Sequence, residues 1–354
     1  MRLCSSVGMC RIIVAYALTL TLCSVVSASA RSQATPTQTP VAAPSADSAA
    51  RAEQVLAEAR KALGGDQRAA LKTLVASGQT KRVRGNNLIP IEFEIFIELP
   101  DKYVRADEFP AEDTDPTSSG FNGDALIQIP PPAGAPGGRG MPPAPPGAPP
   151  AVAPGAPAAG ARGPTPDPRR ARVNSIKQDF SRLALGLLAA SPAYPLTFSY
   201  AALAEAPQGQ ADVLDAKGDG NFALRFFVNT KTRLPIMVAW NTPPSNVIIT
   251  VPGQPPPRTV APGAVVVEGP PAPPANAPKE AMDKYAKDVL ALRTKAMATP
   301  VEHRLYFADY REVDGLRLPF RLRRAIGAET TEETTFDRFR INTKIDPRKF
   351  EAVK

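Results

Sequence analysis

The sequence predicts a mainly β protein with a few helices, an α+β fold in which a curved antiparallel sheet of roughly eleven strands is covered by about three helices. The first observation is an alternation over residues 91–99 (Ile-Glu-Phe-Glu-Ile-Phe-Ile-Glu-Leu), which places five apolar side chains on one face of a strand. The second is that this two-residue period recurs over residues 222–228 and 316–322. The third is that the strand-like segments are joined by short turns, which is typical of antiparallel neighbours.

The first thirty residues are typical of a secretory signal peptide. Arg2 and Arg11 precede an apolar run over residues 12–26, and the small residues at 28–30 (Ala-Ser-Ala) fit cleavage before Arg31. This run is shorter than the roughly 20 apolar residues that a membrane-spanning helix needs, so we predict cleavage rather than an anchor. All three cysteines lie within this segment, and the mature chain is therefore expected to contain no disulfide and no thiol nucleophile.

Three segments have a low-complexity composition. Residues 31–47 are small and polar, and we predict a disordered leader there. Residues 130–170 contain 15 of the 41 prolines and residues 242–278 contain 12. Because proline removes a backbone donor and fixes φ, neither stretch can form the interior of a sheet. We therefore expect one domain over residues 48–354, interrupted by two disordered Pro-rich inserts.

Three segments have apolar residues at helical spacing, in stripes suited to lying across one face of the sheet. The stripes are Val55, Leu56, Ala59 and Leu63; Ile176, Phe180, Leu183 and Leu187; and Met282, Tyr285, Val289 and Leu292. Ser48 is the predicted N-cap of the first helix, and the glycine pair 64–65 ends it. A short helix that Asp66 caps and that carries Leu71 and Leu74 is expected next.

The predicted strands fall into three groups between these helices. They cover residues 75–83, 91–99, 102–109 and 125–129; then 196–205, 211–215, 222–229, 234–240 and a short strand at 247–251; and finally 301–310, 316–325 and 332–341. Turn residues at 84–87 and the Asp-Gly pairs at 219–220 and 314–315 fit hairpin connections. The final three strands therefore form a predicted meander.

The chain has few residues of the types that enzymes use for nucleophilic or metal-assisted catalysis. His303 is the only histidine, and it shares a strand face with Val301, Leu305 and Phe307, which is typical of a core or cavity histidine. One histidine without cysteines cannot build a zinc site, and the chain has no Gly-x-Ser-x-Gly motif. The net charge of +8 is spread along the chain, which argues against a nucleic-acid partner. We expect no enzyme activity, no cofactor and no metal.

Four arginines on one predicted strand have two interpretations. Arg317, Arg321, Arg323 and Arg324 alternate with apolar residues over residues 316–325. They could form a basic rim for anionic headgroups or for an acidic partner. We favour the other interpretation, the solvated face of an edge strand, where cations prevent unwanted strand pairing.

Two sets of motifs resemble LolA/LolB-like outer-membrane lipoprotein-sorting proteins. The first set is a helix that ends in Leu-Gly-Gly at 63–65, Ser-Gly at 77–78 and Pro-Asp-Lys-Tyr at 100–103. The second is Tyr-Arg-Glu-Val-Asp-Gly-Leu-Arg-Leu-Pro at 310–319, followed by Phe336, Ile341-Asn342 and Phe350. The resemblance covers most of residues 51–110 and 175–354.

This resemblance implies an open β half-barrel with helices as a lid, holding acyl chains in an apolar cavity between them. The residues that it implies as cavity lining are Phe93, Ile95, Ile97, Leu224, Phe226, Trp240, Leu318 and Phe320.

The leading hypothesis is a non-catalytic periplasmic carrier that binds a lipid or an acylated lipoprotein. An extracellular or envelope-attached location remains an alternative, and we predict no transmembrane segment in the mature chain. The alternative function is an envelope scaffold, in which side chains fill the sheet core and the Pro-rich inserts bind envelope proteins.

Overall fold

The computed structural model describes residues 45–131 and 167–351, except for residues 86, 113, 207, 208, 256, 258, 259 and 275. The predicted signal peptide, most of the predicted leader and residues 132–166 of the first insert lie outside this part of the chain. The helices are α1 (Ala46–Ala62), α2 (Asp66–Ala69), α3 (Pro168–Leu188) and α4 (Lys279–Met297), with a short 3-10 helix at Pro347–Phe350.

Fourteen strands occur in the described residues. They are β1 (Thr73–Arg84), β2 (Asn87–Glu98), β3 (Lys102–Glu108), β4 (Thr117–Asn122), β5 (Ala125–Ile129), β6 (Thr197–Ala206), β7 (Gly209–Lys217), β8 (Ala223–Asn229), β9 (Pro235–Thr242), β10 (Asn246–Thr250), β11 (Ala264–Glu268), β12 (Val301–Val313), β13 (Leu316–Ile326) and β14 (Glu329–Ile341).

Twelve of these strands form one open sheet in the order β5-β4-β3-β2-β1-β14-β13-β12-β9-β8-β7-β6. Every neighbouring pair in it is antiparallel. The predicted fold class, mainly β with a few helices and a large antiparallel sheet, is confirmed. Near the middle of the sheet β1 pairs with β14, and we call this pairing the β1–β14 seam. The hydroxyls of Thr80 and Thr334 are buried there and lie 2.8 Å apart.

Two strands were not predicted. β4 (Thr-Ser-Ser-Gly-Phe-Asn) lacks apolar alternation, and a side chain at Gly120 would overlap the Tyr103 carbonyl on β3, so a glycine lets the two strands approach. β11 (Ala-Val-Val-Val-Glu) pairs in parallel with β10 as a separate two-stranded sheet. Residues 242–278, predicted to be a disordered insert, therefore contain two strands whose apolar runs lie between prolines.

The inner face of the large sheet carries α1 and α3, and it forms the main hydrophobic core. Apolar residues of α1 (Ala52, Val55, Leu56, Ala59) and the whole of residues 180–188 of α3 are buried there. The Phe180 ring packs against Tyr103 and Phe121, with ring centroids 4.8 and 5.7 Å apart. The α3 helix is thus an internal element that is buried on all sides over its second half.

The motifs at the two ends of the chain meet in space. At Gly64 (φ +130°) the Cβ atom of any other residue would lie 2.6 Å from the Gly315 carbonyl oxygen, which is too close. The end of α1 therefore packs directly against the β12–β13 turn. The Arg317 amide donates to the Leu63 carbonyl at 3.0 Å. Asn342 Oδ1 accepts from the Lys72 amide at 2.7 Å. These glycines and this asparagine hold the first and last elements together.

The opposite, outer face carries a smaller apolar cluster. Phe96, which lies between outward-facing glutamates of β2, is covered by Phe350 of the 3-10 helix, with Val75, Val104, Ile127 and Ile345 around them.

Three helix predictions need correction. The N-cap of α1 is Ser45, whose hydroxyl accepts from the Ser48 amide at 3.2 Å, so α1 begins before the predicted Ser48. The short second helix ends at Ala69, and Leu74 belongs to β1. The third predicted stripe does not cover the large sheet: α4 lies against β10, and Ala296 is its one buried residue. A two-stranded sheet offers too little surface to bury a helix of that length.

Candidate functional site

All eight residues predicted to line a cavity are buried on the inner face and belong to the main core. Each has a relative exposure of 8% or less. Phe93, Ile95 and Ile97 alternate along β2, and Leu224 and Phe226 do the same along β8. Their common burial follows from the two-residue period, since every second side chain faces α1 and α3.

The structure divides these eight residues among different environments. Ile95 lines one cavity and Trp240 lines a second, whereas Phe93, Ile97, Leu224, Phe226, Leu318 and Phe320 are not among the residues that line either of them. Those six side chains pack in the core, partly under α1 and α3.

The first cavity, which we call the inner cavity, has a volume of about 370 Å³ and lies between α3 and the inner face of the sheet. Ile176 and Leu183 of α3 line one side, at a spacing that places them on one face of the helix. The apolar lining from the sheet consists of Ile95, Tyr103, Leu305, Leu322 and Phe336. Sequence reasoning missed most of these residues because they come from five strands whose neighbours are remote in sequence.

Four arginines also line the inner cavity, and we call them the arginine wall: Arg82, Arg105, Arg172 and Arg324. Arg172 belongs to α3 and is exposed, whereas the place of the other three follows from strand register. Arg105 lies opposite Ile95, and both Arg82 and Arg324 lie opposite Glu332. Directly opposed residues share a face of the sheet, so the three strand arginines face inward.

The arginines of this wall form different numbers of ion pairs with the carboxylates of the inner cavity. Arg82 Nε lies 2.5 Å from Glu332 Oε1, and Arg324 Nε lies 3.5 Å from the other oxygen of the same carboxylate. Arg105 Nε donates to Asp107 at 2.6 Å, and its NH2 group donates to Thr80 Oγ1 at 3.1 Å.

This wall corrects the interpretation of the β13 arginines. β13 lies between β14 and β12 and is not an edge strand. Arg317, Arg321 and Arg323 are exposed on the outer face, whereas Arg324 is half-buried on the inner one. An adjacent arginine pair must point to opposite faces, and the sequence could have indicated this.

The second cavity, of about 270 Å³, shares Arg82, Arg324 and Glu332 with the first. Trp240 and His303 form its aromatic part, stacked with centroids 5.4 Å apart and planes at 25°. His303 Nε2 lies 2.8 Å from Thr242 Oγ1. Burial, and then the positive charges of Arg182 and Arg324, lower the pKa of His303 below 6.5, which favours the neutral ring.

Arg182 of α3 lies under the same aromatic group. Its guanidinium carbon is 4.4 Å from the Trp240 ring centroid and 4.7 Å from that of Phe222. NH1 donates to Asp179 at 2.6 Å, and Nε has no hydrogen-bond partner among the described residues. Burial lowers the pKa of Arg182, and a guanidinium nevertheless keeps its charge at neutral pH.

Tyr103 supplies a buried hydroxyl at the apolar side of the inner cavity. Burial raises its pKa to about 12, so the phenol is neutral at all physiological pH values. It can therefore serve as packing surface without adding charge.

A third cavity, of about 530 Å³, lies where the pairing of β9 with β12 ends. The last paired residues are Met237 and Tyr306, and the cavity is lined by the residues just beyond them, including Ile236 and Phe307. Arg321, Arg323 and Glu333 add polar side chains from the outer face.

The described residues contain neither a metal-binding cluster nor a membrane-spanning helix. Residues 45–131 and 167–351, with the gaps given above, contain no group of three or more His, Cys, Asp or Glu side chains arranged to hold a metal ion. In the same part of the chain, no helix has the length and hydropathy that a bilayer crossing requires.

The chain matches no protein-family model, and no curated protein matches its sequence. Among solved structures it is similar to a LolA superfamily protein from Nitrosomonas europaea, with 9% identity, a TM-score of 0.42 and coverage of 85% of this chain and 97% of the other. It is also similar to a putative outer membrane lipoprotein-sorting protein domain from Vibrio parahaemolyticus, with 8% identity, a TM-score of 0.41 and the same coverages.

A third similar structure is a DUF1329 family protein from Desulfovibrio piger ATCC 29098, with 8% identity, a TM-score of 0.39 and coverage of 85% and 97%. At identities below 10% and TM-scores below 0.5, these likenesses carry nothing about ligand or function.

Proposed function

We propose that this protein is a non-catalytic carrier that binds an acyl chain of a lipid or of an acylated lipoprotein between α3 and the inner face of its sheet. We further propose that it works in the periplasm after removal of its signal peptide. The observation that carries the proposal is the inner cavity, whose apolar lining is continuous with the main core and whose cover is the single helix α3.

The size of this cavity and the apolar part of its lining support a ligand that carries an apolar chain. Its volume of about 370 Å³ lies at the lower end of the range of small-molecule sites. Burial of an acyl chain there is worth about 0.8 kcal/mol for each CH₂ group. A longer chain would need the space that α3 fills, and the six packed residues predicted as cavity lining would then contact it.

The attachment of α3 is compatible with such a displacement. Among the described residues, four direct hydrogen bonds join α3 to the rest of the domain. The Tyr310 hydroxyl donates to the Gly186 carbonyl at 3.0 Å, and Lys177 donates to Asp124 at 2.7 Å. Arg68 donates to the Leu188 carbonyl at 3.4 Å, and Gln178 donates to the Tyr194 hydroxyl at 3.3 Å. Apolar contacts of Phe180, Leu183 and Leu187 supply most of the rest. An acyl chain can replace apolar contacts without leaving buried polar groups unpaired.

The scaffold function remains the second candidate, and one observation favours it. Six of the eight predicted lining residues are already packed against other side chains, as expected for a filled core. In this alternative the inner cavity holds only water, and the protein acts through its surface and its Pro-rich inserts.

The first experiment is mass spectrometry of the protein purified without detergent, under native conditions and after solvent extraction. The carrier proposal expects a co-purifying lipid in the wild type. It also expects loss of that lipid in Leu183→Trp, which fills the inner cavity, and no loss in Ser175→Trp, which adds the same ring at an exposed position of α3.

Two results would contradict this proposal, and the first of them would favour the scaffold. One is the absence of bound lipid in the wild type together with failure to take up a fluorescent fatty-acid probe. The other is uptake of that probe by Leu183→Trp at wild-type affinity, which would place the bound chain outside the inner cavity.

A further inference from the structure

The charges of the inner cavity do not balance. Three carboxylates, Asp107, Asp179 and Glu332, line it together with the four guanidinium groups of the arginine wall. Asp179 is already engaged by Arg182, an arginine of α3 that does not line the cavity. Two carboxylates are therefore left for the four guanidinium groups of the arginine wall.

The pairing within the wall shows where the excess charge lies. Arg82 and Arg324 share the single carboxylate of Glu332, and Arg105 has Asp107. Arg172 has no ion-pair partner among the described residues. Since each guanidinium carries five N–H donors, these pairs leave donors unused on every member of the wall.

The wall also borders apolar surface. The Arg105 guanidinium lies 4.5 Å from the Phe93 ring centroid, and Ile95, its cross-strand neighbour, lines the same cavity. Excess cationic charge in a partly desolvated cavity favours an anion, because guanidinium groups bind phosphate or carboxylate oxygens in pairs. Apolar lining beside it favours a hydrocarbon chain attached to that anion.

We propose that the arginine wall is a headgroup site and that the preferred ligand is an anionic single-chain amphiphile, with its phosphate or carboxylate on these arginines. This inference rests on the proposed function, since the chain would occupy the apolar part of the inner cavity. It adds a ligand class that binding of an acyl chain alone does not specify.

The test is isothermal titration calorimetry with two ligands that differ only in a phosphate group, 1-lauroylglycerol and 1-lauroylglycerol 3-phosphate, each below its micelle concentration. Glycerol 3-phosphate is the third ligand and lacks the chain. The wild type should bind the phosphate-bearing lipid at least about tenfold more tightly than the neutral one, since charge-assisted hydrogen bonds are the strong class. This preference should decrease as salt is added.

Two variants and one control locate the effect. Arg324→Met leaves Glu332 paired with Arg82 and should reduce the preference at least threefold. Arg172→Met should reduce it as well, and its exposed position means that folding is not at risk. Arg321→Met removes an exposed arginine from the outer face of the same strand as Arg324 and should leave the preference unchanged.

The possible results separate the two proposals. Equal affinity of the wild type for both lipids would overturn the headgroup site and leave the carrier function standing. Binding of neither lipid would overturn both. Binding of glycerol 3-phosphate as tightly as its lauroyl derivative would overturn the amphiphile and indicate a site for a soluble organophosphate. An unchanged preference in both Arg324→Met and Arg172→Met would place the anion elsewhere.

Discussion

The helices α3 and α4 are of similar length, 21 and 19 residues, and both show apolar residues at helical spacing, yet they occupy opposite environments. Eleven residues of α3 are buried, against one of α4. The reason lies in composition: residues 183–188 of α3 are Leu-Ala-Leu-Gly-Leu-Leu, apolar on every side, whereas α4 carries charged residues around most of its circumference. A stripe predicts a helix, and only apolar residues all round predict one that lies inside the protein.

The largest expected difference between the two helices is in the free energy of unfolding. Leu187→Ala in α3 should lower it by about 2–5 kcal/mol, because the side chain is 3% exposed and leaves a cavity in the main core. Leu290→Ala in α4, where the side chain is 64% exposed, should change it by less than about 0.5 kcal/mol. Urea unfolding followed by far-UV circular dichroism measures both, and equal losses would contradict the assignment of α4 as peripheral.

Gly186 in α3 gives a second comparison, in which the sign of the effect is informative. Glycine to alanine in an exposed helix stabilises by about 1 kcal/mol. At Gly186 the added methyl group would overlap the buried Phe307 ring, so we expect Gly186→Ala to destabilise by about 1–3 kcal/mol. The control is Ser175→Ala on the exposed side of the same helix. A stabilised Gly186→Ala would mean that α3 moves freely away from β12.

The N-termini of the two helices differ by one hydrogen bond. Asp167 caps α3 by accepting from the Arg169 amide at 2.9 Å, whereas Pro278 at the start of α4 makes no side-chain cap. Asp167→Ala should lower the free energy of unfolding by about 1 kcal/mol, measured by the same urea titration. Arg169→Ala keeps the amide donor and serves as the control. No loss in Asp167→Ala would show that the first turn of α3 is not coupled to global unfolding.

The smallest expected effect is that of Arg182, a charged residue of α3, on the pKa of His303. Because the pKa of His303 is lowered in the folded protein, the unfolded chain binds a proton more readily there. The contribution of neutral His303 to the free energy of unfolding is therefore present above pH 6.5 and is lost as the pH falls below 6.5. Because this is the chain's only histidine, a single imidazole resonance reports its titration by NMR.

The midpoint of that titration should lie below 6.5 and should move upward in Arg182→Gln, since one source of the repulsion is then gone. Arg293→Gln on α4 should leave it unchanged. An unmoved midpoint in Arg182→Gln would leave burial and Arg324 as the causes of the lowered pKa.

Much of the fold was predictable because its signals are local. The alternation over residues 91–99 placed Phe93, Ile95 and Ile97 on the buried face, and the strands of the closing meander agree with their predicted segments. β4 was not predicted because its sequence has no apolar alternation, and its glycine instead allows its backbone to lie close to β3. The N-cap of α1 was misplaced by three residues because Ser45 and Ser48 are chemically equivalent candidates.

The inner cavity could not be predicted from local sequence patterns. Its glutamate, Glu332, is 250 residues away from Arg82 in the chain, and no periodicity reports which strands become neighbours. The aromatic side chains beneath it, Trp240 and Phe222, likewise meet Arg182 only through the order of strands in the sheet. A burial pattern identifies the inward residues, and the sheet order then decides which of them line a cavity.

The seam between β1 and β14 has a consequence for how the chain is made. The first strand cannot complete its ladder until the last one exists, since Leu74 pairs with Ile341 and Arg82 with Glu332. A ribosome-bound or truncated fragment that stops before Glu329 would present an unsatisfied strand edge in the middle of the future sheet, where β-type self-association is most hazardous. Synthesis through β14 is therefore a precondition for completing the ladder of β1.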